Sequence, residues 1–191
     1  MTHEEKTAKL EAIIRPLATA SYEVDFAWKD VERLLEWLAE GSGSLVELTP
    51  DFQRGHVWST QQQQHFIENV LRGVVSTAGL TLRFNAPGWK EEPTGDLPAT
   101  VQCLDGLQRL TAVRRFIRGE IAPFGLKVHD LNGSRYSVLQ GVGGNYRFRI
   151  AVHTFQNRAE LLQHYLDINA GGTPHSEAEL EKVAGLLMEC Q

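Results

Sequence analysis

Residues 101–109 read Val-Gln-Cys-Leu-Asp-Gly-Leu-Gln-Arg, and they carry an apolar β-strand pattern straight into a helix. At this junction Asp105 stands at the predicted helix cap, and Gly106 permits close approach of the backbone. The free N–H groups of a first helical turn attract anions, and Arg109 adds a planar, permanently charged fork. The stretch therefore predicts a phosphate cradle at a strand–helix junction.

The composition is that of an ordinary globular domain, with 191 residues, a formal net charge of −5 and 42% hydrophobic residues. These values exclude a disordered chain and a chain that coats nucleic acid through overall attraction. No apolar run reaches the roughly 20 residues of a transmembrane helix, and the first residues lack a signal-peptide pattern. We therefore expect a cytoplasmic location. The chain has two cysteines, Cys103 and Cys190, and Cys103 lies within an apolar strand pattern, so we also expect reduced thiols.

Helix and strand patterns alternate on both sides of the junction. Apolar spacing predicts helices over residues 4–18, 28–40, 59–73, 106–118 and 158–168, and a last helix from Ser176. Strand patterns cover residues 22–26, 45–48, 80–84, 100–104, 126–128 and 146–152, and a strand pair is predicted around Gly141–Asn145. Capping boxes at Ser59–Gln62 and Ser176–Glu179 support two helix starts. We expect the opening amphipathic helix to be a packing arm.

Three polar boxes stand out along the chain. The first runs from Pro50 to Trp58 and contains Gln53-Arg54, the second is Asp105–Arg109, and the third runs from Ile168 to Pro174, with Glu179-Leu180 following. In this order and spacing they resemble the N-terminal domain of GmrSD-type modification-dependent restriction enzymes, a member of the ParB/sulfiredoxin superfold. The resemblance covers about residues 28–185.

The resemblance implies an α+β fold: a ParB/sulfiredoxin-like small mixed sheet flanked by helices, with N- and C-terminal helical extensions. Residues 1–27 would form an N-terminal helical arm and short strand, 28–157 the nucleotide-binding core, and 158–191 C-terminal helices packed on the core, as a single domain overall. Leu107 and His175 depart from the family pattern, which usually has Gln and Leu at these positions. We interpret Leu107 as a change in packing or substrate contact that leaves the cradle intact.

The resemblance also implies a nucleotide-binding domain, in which NTP hydrolysis gates DNA cleavage in a restriction or DNA-modification context. The HNH-type nuclease module of these enzymes is a separate domain, and we expect residues 1–191 to be the nucleotide-handling part without it. The implied partners are a nucleotide, DNA that is modified or unmodified, and a nuclease subunit. We expect no membrane association, and the chain can form an oligomer.

Two alternatives stay open. One is a ParB-fold kinase that transfers the γ-phosphate to a hydroxyl, for example of a hydroxymethylated DNA base, and the other is a non-catalytic nucleotide-responsive DNA-binding or clamp module.

Phosphoryl chemistry needs arginine donors, a metal-holding carboxylate and backbone N–H groups. The candidate catalytic residues are Asp105, Gln108, Arg109 and Gln53. The candidate nucleotide- and phosphate-binding residues are Arg54, Gly106, Arg109, Asn169, Gly171, Gly172 and Thr173. Asp105 would hold Mg²⁺ or act as a base, with Asp51 as a weaker second carboxylate. Candidate DNA contacts are Arg114, Arg115 and Arg118.

Each candidate also has a purely structural interpretation. Asp105 alone would be a plain helix cap, and Asn169 with the following glycines would be a helix C-cap. Arg54 would form a surface salt bridge, and the arginines of 114–118 a solvated helix face. For Trp58 we favour core packing over base stacking.

Overall fold

The computed structural model describes residues 1–53, 55, 57–76, 80–89, 91–140, 146–170 and 177–190. The strands are β1 (Tyr22–Ala27), β2 (Val46–Glu47), β3 (Thr81–Asn85), β4 (Val101–Asp105) and β5 (Arg147–His153). The α-helices are α1 (His3–Ile14), α2 (Val31–Ser42), α3 (Thr60–Leu71), α4 (Leu107–Ile117), α5 (Arg158–Ala170) and α6 (Glu177–Glu189). Short 3-10 turns lie at Trp28–Asp30, Pro123–Gly125 and Val128–Leu131. Within these ranges, none of the helices combines the length and the apolarity needed to cross a bilayer.

The five strands form one mixed sheet in the order β1-β5-β3-β4-β2. β5 pairs antiparallel with β1 and parallel with β3, while β4 pairs antiparallel with β3 and parallel with β2. Asp105 faces Arg83 across the β3–β4 pair, and the register shifts between Arg83 and Phe84. A mixed sheet with flanking helices confirms the predicted α+β class, while its assignment to the ParB/sulfiredoxin superfold stays a prediction.

The first face of the sheet is apolar and packs under α2, α3 and α4. Because side chains alternate along a strand, Leu82 and Phe84 of β3 lie on this face with Ile150 of β5, all fully buried. The helices add Leu34 of α2 and Phe116 of α4 to the same core. The predicted alternation over 146–152 is confirmed, since β5 buries its apolar residues and exposes its arginines.

The second face of the sheet has two unlike parts. Near β4 it is covered by α5 and α6, where a second apolar cluster joins Leu104 to Phe52, Leu161, Leu162, Tyr165 and Val183. Toward β1 and β5 the same face carries exposed charges, with Arg149 set between Glu23 and Asp25. The second face therefore leaves a polar strip beside the covered part.

Two predicted elements differ from the structure. The opening helix ends at Ile14, where Arg15 takes a left-handed φ of 49°. No residue of α1 is buried, so this helix is not packed into the described part of the chain, and its role as a packing arm stays a prediction. Residues 126–128 do not form a strand, because Val128 begins a 3-10 turn that Asp130 caps by accepting the Lys127 N–H at 2.7 Å. The strand pair predicted around 141–145 and the cap residue at 176 lie outside the described residues.

Candidate functional site

The β4–α4 junction is a single glycine. β4 ends at Asp105 and α4 begins at Leu107, so Gly106 is the N-cap, with a φ of 97° and no side-chain capping hydrogen bond. A Cβ here would lie 2.3 Å from Leu82 Cδ2 and 3.3 Å from Leu82 Cα. Both the φ and the available space therefore require glycine. The prediction that Asp105 caps α4 is wrong, because the cap falls one residue later.

The Asp105 carboxylate is instead held between two arginines. Its Oδ2 accepts a hydrogen bond from Arg109 Nη2 at 2.7 Å and from Arg83 Nη1 at 3.2 Å. Arg109 lies one turn along α4, and Arg83 lies on the neighbouring strand. We refer to Arg83, Asp105 and Arg109 as the Asp105 triad. The triad carries two positive charges and one negative charge, so it is net positive.

Arg83 is the member of the triad that the sequence patterns do not single out. The feature of the sequence that could have identified Arg83 is a positively charged residue inside the predicted strand Leu80–Phe84. Alternation places this side chain on the face opposite Leu82. Its meeting with Asp105 depends on the β3–β4 register, which no local pattern encodes.

The side chain of Gln108 links the loop of the first box to α4 through hydrogen bonds. Its Oε1 accepts the backbone N–H groups of Val57 and Trp58, each at 3.1 Å, and its Nε2 donates to the Gly55 carbonyl at 3.1 Å. Three of the four hydrogen bonds that an amide side chain can make are therefore directed at this loop. In this structure Gln108 positions the loop, and its predicted catalytic role stays a prediction.

Gln53 and Trp58 attach the same loop to the body of the protein. Gln53 Nε2 donates to the Cys103 carbonyl at 3.1 Å. As predicted, Trp58 packs on the main core, with its ring centroid 5.4 Å from that of Phe66. Burial raises the pKa of the Cys103 thiol to about 12, so this cysteine is a protonated core residue at neutral pH.

The remaining predicted binding residues are only partly described. Arg54, Gly171, Gly172 and Thr173 lie outside the described residues, and their phosphate contacts stay predictions. Asn169 Nδ2 donates to the Tyr165 carbonyl at 2.7 Å, within α5. Asp51 Oδ2 accepts from Arg158 Nη2 at 2.6 Å, which links the first box to the start of α5.

The three arginines toward the other end of α4 pair with acidic side chains. Arg114 binds Glu32 through two hydrogen bonds of 3.0 and 2.9 Å, and Arg118 reaches the same carboxylate at 2.9 Å. Arg115 donates to Glu120 at 3.1 Å. The Arg114 hydrogen bonds hold the pKa of Glu32 below its usual value, against the opposing effect of burial. These ion pairs offset the positive charge, and DNA contact by the group stays a prediction.

A cleft of about 610 Å³ opens on the second face of the sheet, and Arg83 of the triad lines it. We refer to it as the β3–β5 cleft. Its floor is formed by Thr81, Arg83, Arg149, Ala151 and His153, and its walls by Glu23 of β1, by α5 and by residues 17–20. Arg83 therefore faces both the cleft and Asp105.

Two buried histidines line this cleft, and sequence patterns do not pair them. His153 and His164 are 3% and 5% exposed, and their ring centroids lie 4.6 Å apart. Both ring nitrogens of His153 and Nε2 of His164 are buried without a hydrogen-bond partner among the described residues. Burial, His164 and Arg83 together lower the pKa of His153 to about 4. Burial and Arg83 also lower the pKa of His164, so both imidazoles are neutral at pH 7.

A family model described as GmrSD restriction endonuclease, N-terminal domain, matches residues 34–168, well over half of the chain. The chain belongs to this family. The GmrSD match extends from α2 into α5, so it includes the first box and the Asp105 triad, and it ends where the third box begins. A search of curated proteins and a search of solved structures each found no match.

Leu107, the departure from the usual GmrSD pattern, is a packing residue. Its side chain is 6% exposed and belongs to the main apolar core under the first face. The neighbouring Gln108 and Arg109 point to the loop and to Asp105. The substitution therefore changes the core and leaves the polar members of the box in place.

Metal binding at the junction would depend on Asp105. In the described ranges of the chain, no group of three or more His, Cys, Asp or Glu side chains is placed to hold a metal ion. Asp105 Oδ2 carries both arginine hydrogen bonds, and Oδ1 has no hydrogen-bond partner among the described residues. A cation there would need additional oxygen ligands from a bound molecule or from water.

Proposed function

We propose that this chain binds a nucleoside triphosphate at the β4–α4 junction and hydrolyses it in a restriction context. The observation that carries the proposal is the Asp105 triad, which places two guanidinium groups at a helix start that has no side-chain cap. Membership in the GmrSD N-terminal domain family supports the restriction context.

The charge at the junction favours a phosphate. Arg83 and Arg109 outnumber Asp105, and the N-terminus of α4 adds a partial positive charge of about half a unit. Both guanidinium groups are fork-shaped donors, which suit phosphate oxygens. A triphosphate would draw these forks away from Asp105, because it carries more negative charge than a single carboxylate.

The donor set at the junction fits Mg²⁺. This ion is usually held by one or two carboxylates together with substrate phosphates and water, and Asp105 Oδ1 accepts no hydrogen bond from the arginines that the structure describes. When bound, Mg²⁺ would neutralise phosphate charge. In the proposed reaction Asp105 holds the ion, Arg109 and Arg83 orient the phosphates, and Gln108 holds the first box in register.

The test is release of phosphate from ATP, GTP, CTP and UTP by the full chain with Mg²⁺. We expect turnover of at least one nucleotide, with Arg109→Ala lowering the rate by at least about a hundredfold, as for loss of a charged donor to a transition state. Arg118→Ala is the matched control, because it removes the same charge at the C-cap of α4, where Arg118 pairs with Glu32 and not with Asp105. Turnover by Arg109→Ala equal to that of the control contradicts the assignment.

The same preparation separates hydrolysis from the two alternatives. Transfer of labelled γ-phosphate to DNA, with little free phosphate, would favour the kinase. Nucleotide binding without turnover, together with a change in oligomeric state by light scattering, would favour the clamp module.

A further inference from the structure

The β3–β5 cleft contains Arg149, His153 and His164, which the proposed nucleotide site does not use, and it shares Arg83 with that site. We propose that this cleft is a second phosphate site, which binds the phosphate group of a small ligand through Arg149 and Arg83. The inference goes beyond the proposed function, because it predicts binding that requires no nucleotide turnover.

The β3–β5 cleft is present because a small residue lies among larger ones on its floor. Ala151 stands between Arg149 and His153 on the same face of β5, and it pairs with Arg83 across the β3–β5 ladder. Small-molecule pockets typically measure about 300–1,000 Å³, and this cleft, at about 610 Å³, lies in that range. It can therefore hold a phosphate together with a sugar or a base.

Arg149 can be recruited by an anion. Its distances to Glu23 and Asp25 are 4.0 and 3.7 Å, which are longer than hydrogen bonds. The side chain is 49% exposed, so it can reorient at low cost. A phosphate oxygen at hydrogen-bond distance would be a better partner than either carboxylate.

The two histidines provide an independent sign that the cleft takes a ligand. Buried side-chain nitrogens in native proteins nearly always have a partner, yet His153 has none on either ring nitrogen among the described residues. His164 Nε2 is also buried without a hydrogen-bond partner among the described residues. A neutral imidazole donates one N–H, and a phosphate oxygen is a suitable acceptor once a ring turns toward the cleft.

Arg83 connects the cleft to the junction. It donates to Asp105 at 3.2 Å and also lines the cleft. A phosphate in the cleft competes with Asp105 for this guanidinium group. If the proposed function holds, cleft occupancy also leaves Asp105 more available to Mg²⁺.

The experiment is calorimetric titration of the full chain with inorganic phosphate. Arg149→Ala should weaken binding by at least about tenfold, as for loss of a charged hydrogen-bond donor. Arg147→Ala is the matched control, since it lies on the same strand and face, with 45% exposure against 49% for Arg149, and does not line the cleft. Arg147→Ala should bind within about twofold of the unaltered chain. Equal affinity in the two variants overturns the proposal, as does the absence of phosphate binding.

A second set of titrations identifies the ligand class. Tighter binding of adenosine 5′-monophosphate than of inorganic phosphate means that the cleft also takes the nucleoside, and equal binding means that it takes phosphate alone; both support the proposal. Binding of adenosine as tight as that of the monophosphate overturns it. In nuclear magnetic resonance, phosphate should shift the ring signals of His153 and His164, but not those of the exposed His129.

The variants also separate this site from the proposed nucleotide site. Arg109→Ala should lose hydrolysis but keep phosphate binding in the cleft. Asp105→Asn should bind phosphate several-fold more tightly, because Arg83 is released, and Asp105→Asn/Arg149→Ala should lose that gain. Loss of phosphate binding in Arg109→Ala but not in Arg149→Ala assigns the phosphate to the junction and overturns the cleft site.

Discussion

The two faces of the sheet use the same strands for opposite purposes. On the first face Leu82, Phe84 and Ile150 are sealed under helices. The second face, beside the part that α5 and α6 cover, carries the residues that alternate with these three along the strands. They include Arg83 and Arg149, which line a cleft. Because side chains alternate along a strand, the apolar Leu82 of the first face has the cleft-lining Arg83 as its neighbour, and Ile150 has Arg149.

Stability and function can therefore be changed almost independently along one strand. Burial of apolar area supplies most of the stability, whereas half-exposed ion pairs supply little. Substitutions on the first face should therefore unfold the protein, whereas substitutions of the half-exposed Arg83 and Arg149 on the second face should change binding while leaving the fold intact.

The largest effect is expected from adjacent residues of β3. Phe84→Ala should lower the free energy of unfolding by about 3–5 kcal/mol, because it leaves a cavity in a close-packed core. Arg83→Ala should cost about 1 kcal/mol or less, since it removes one half-exposed ion pair. Urea denaturation measures both, and equal losses would remove the distinction between the faces.

The second effect is pH dependence from the polar face. His153 binds a proton less readily in the folded state, where its pKa is about 4, than in the unfolded state, at 6.5. The unfolded state therefore takes up the proton first, so stability is full above pH 6.5 and falls as the pH drops toward 4. The loss should reach at most about 3 kcal/mol, with His164 and Arg83 as the facing groups.

Urea denaturation at several pH values between 7.5 and 4.5 measures this slope. His153→Phe should flatten it, because the imidazole is removed and the aromatic contact with Phe155 is kept. His129→Gln, at an exposed histidine, controls for the loss of one histidine. An unchanged slope in His153→Phe would contradict the assignment.

A smaller effect is expected at the link between α4 and the first box. Gln108→Ala removes three hydrogen bonds to the backbone of 55–58, and it should cost about 1–2 kcal/mol. Amide hydrogen exchange should accelerate at Val57 and Trp58 while Phe84 stays protected. Gln61→Ala, at an exposed glutamine of α3, should leave both unchanged.

The smallest effect is expected from ion pairs that lie outside the cleft. Arg114→Ala should lower stability by about 0.5–1 kcal/mol, because Glu32 is partly exposed and keeps Arg118 as a partner. The loss should shrink in 1 M salt, where exposed charges are screened. Thermal denaturation at low and high salt tests this, and a salt-independent loss would indicate a packing effect instead.

Local patterns predicted the parts of the fold that depend on neighbouring residues. The Ser59–Gln62 capping box is present, with reciprocal hydrogen bonds of 2.8 and 3.2 Å. The alternation of β5 is also confirmed over Arg147–Ile150, where Phe148 and Ile150 are buried and Arg147 and Arg149 are exposed. A capping residue and a period of two are both encoded within a few positions.

Features that depend on distant pairing could not be predicted in this way. The Arg83–Asp105 contact requires a register between two strands, and the histidine pair requires α5 to lie over β5. Asp105 shows the limit within a single motif. A one-residue difference in the cap position changes its side chain from a helix cap to an ion-pair centre.

The strand order also has a consequence for how the chain is made. In the described sheet, β1 is an edge strand beside β5, and 119 residues separate the end of β1 at Ala27 from the start of β5 at Arg147. At ribosomal speeds of about 5–20 residues per second, β1 waits on the order of 10 s for its neighbour. In the described sheet the last strand to be synthesised thus enters between β1 and β3, and it brings Arg149 and His153 with it. Neither the sheet nor the floor of the cleft can therefore be complete before β5 is made.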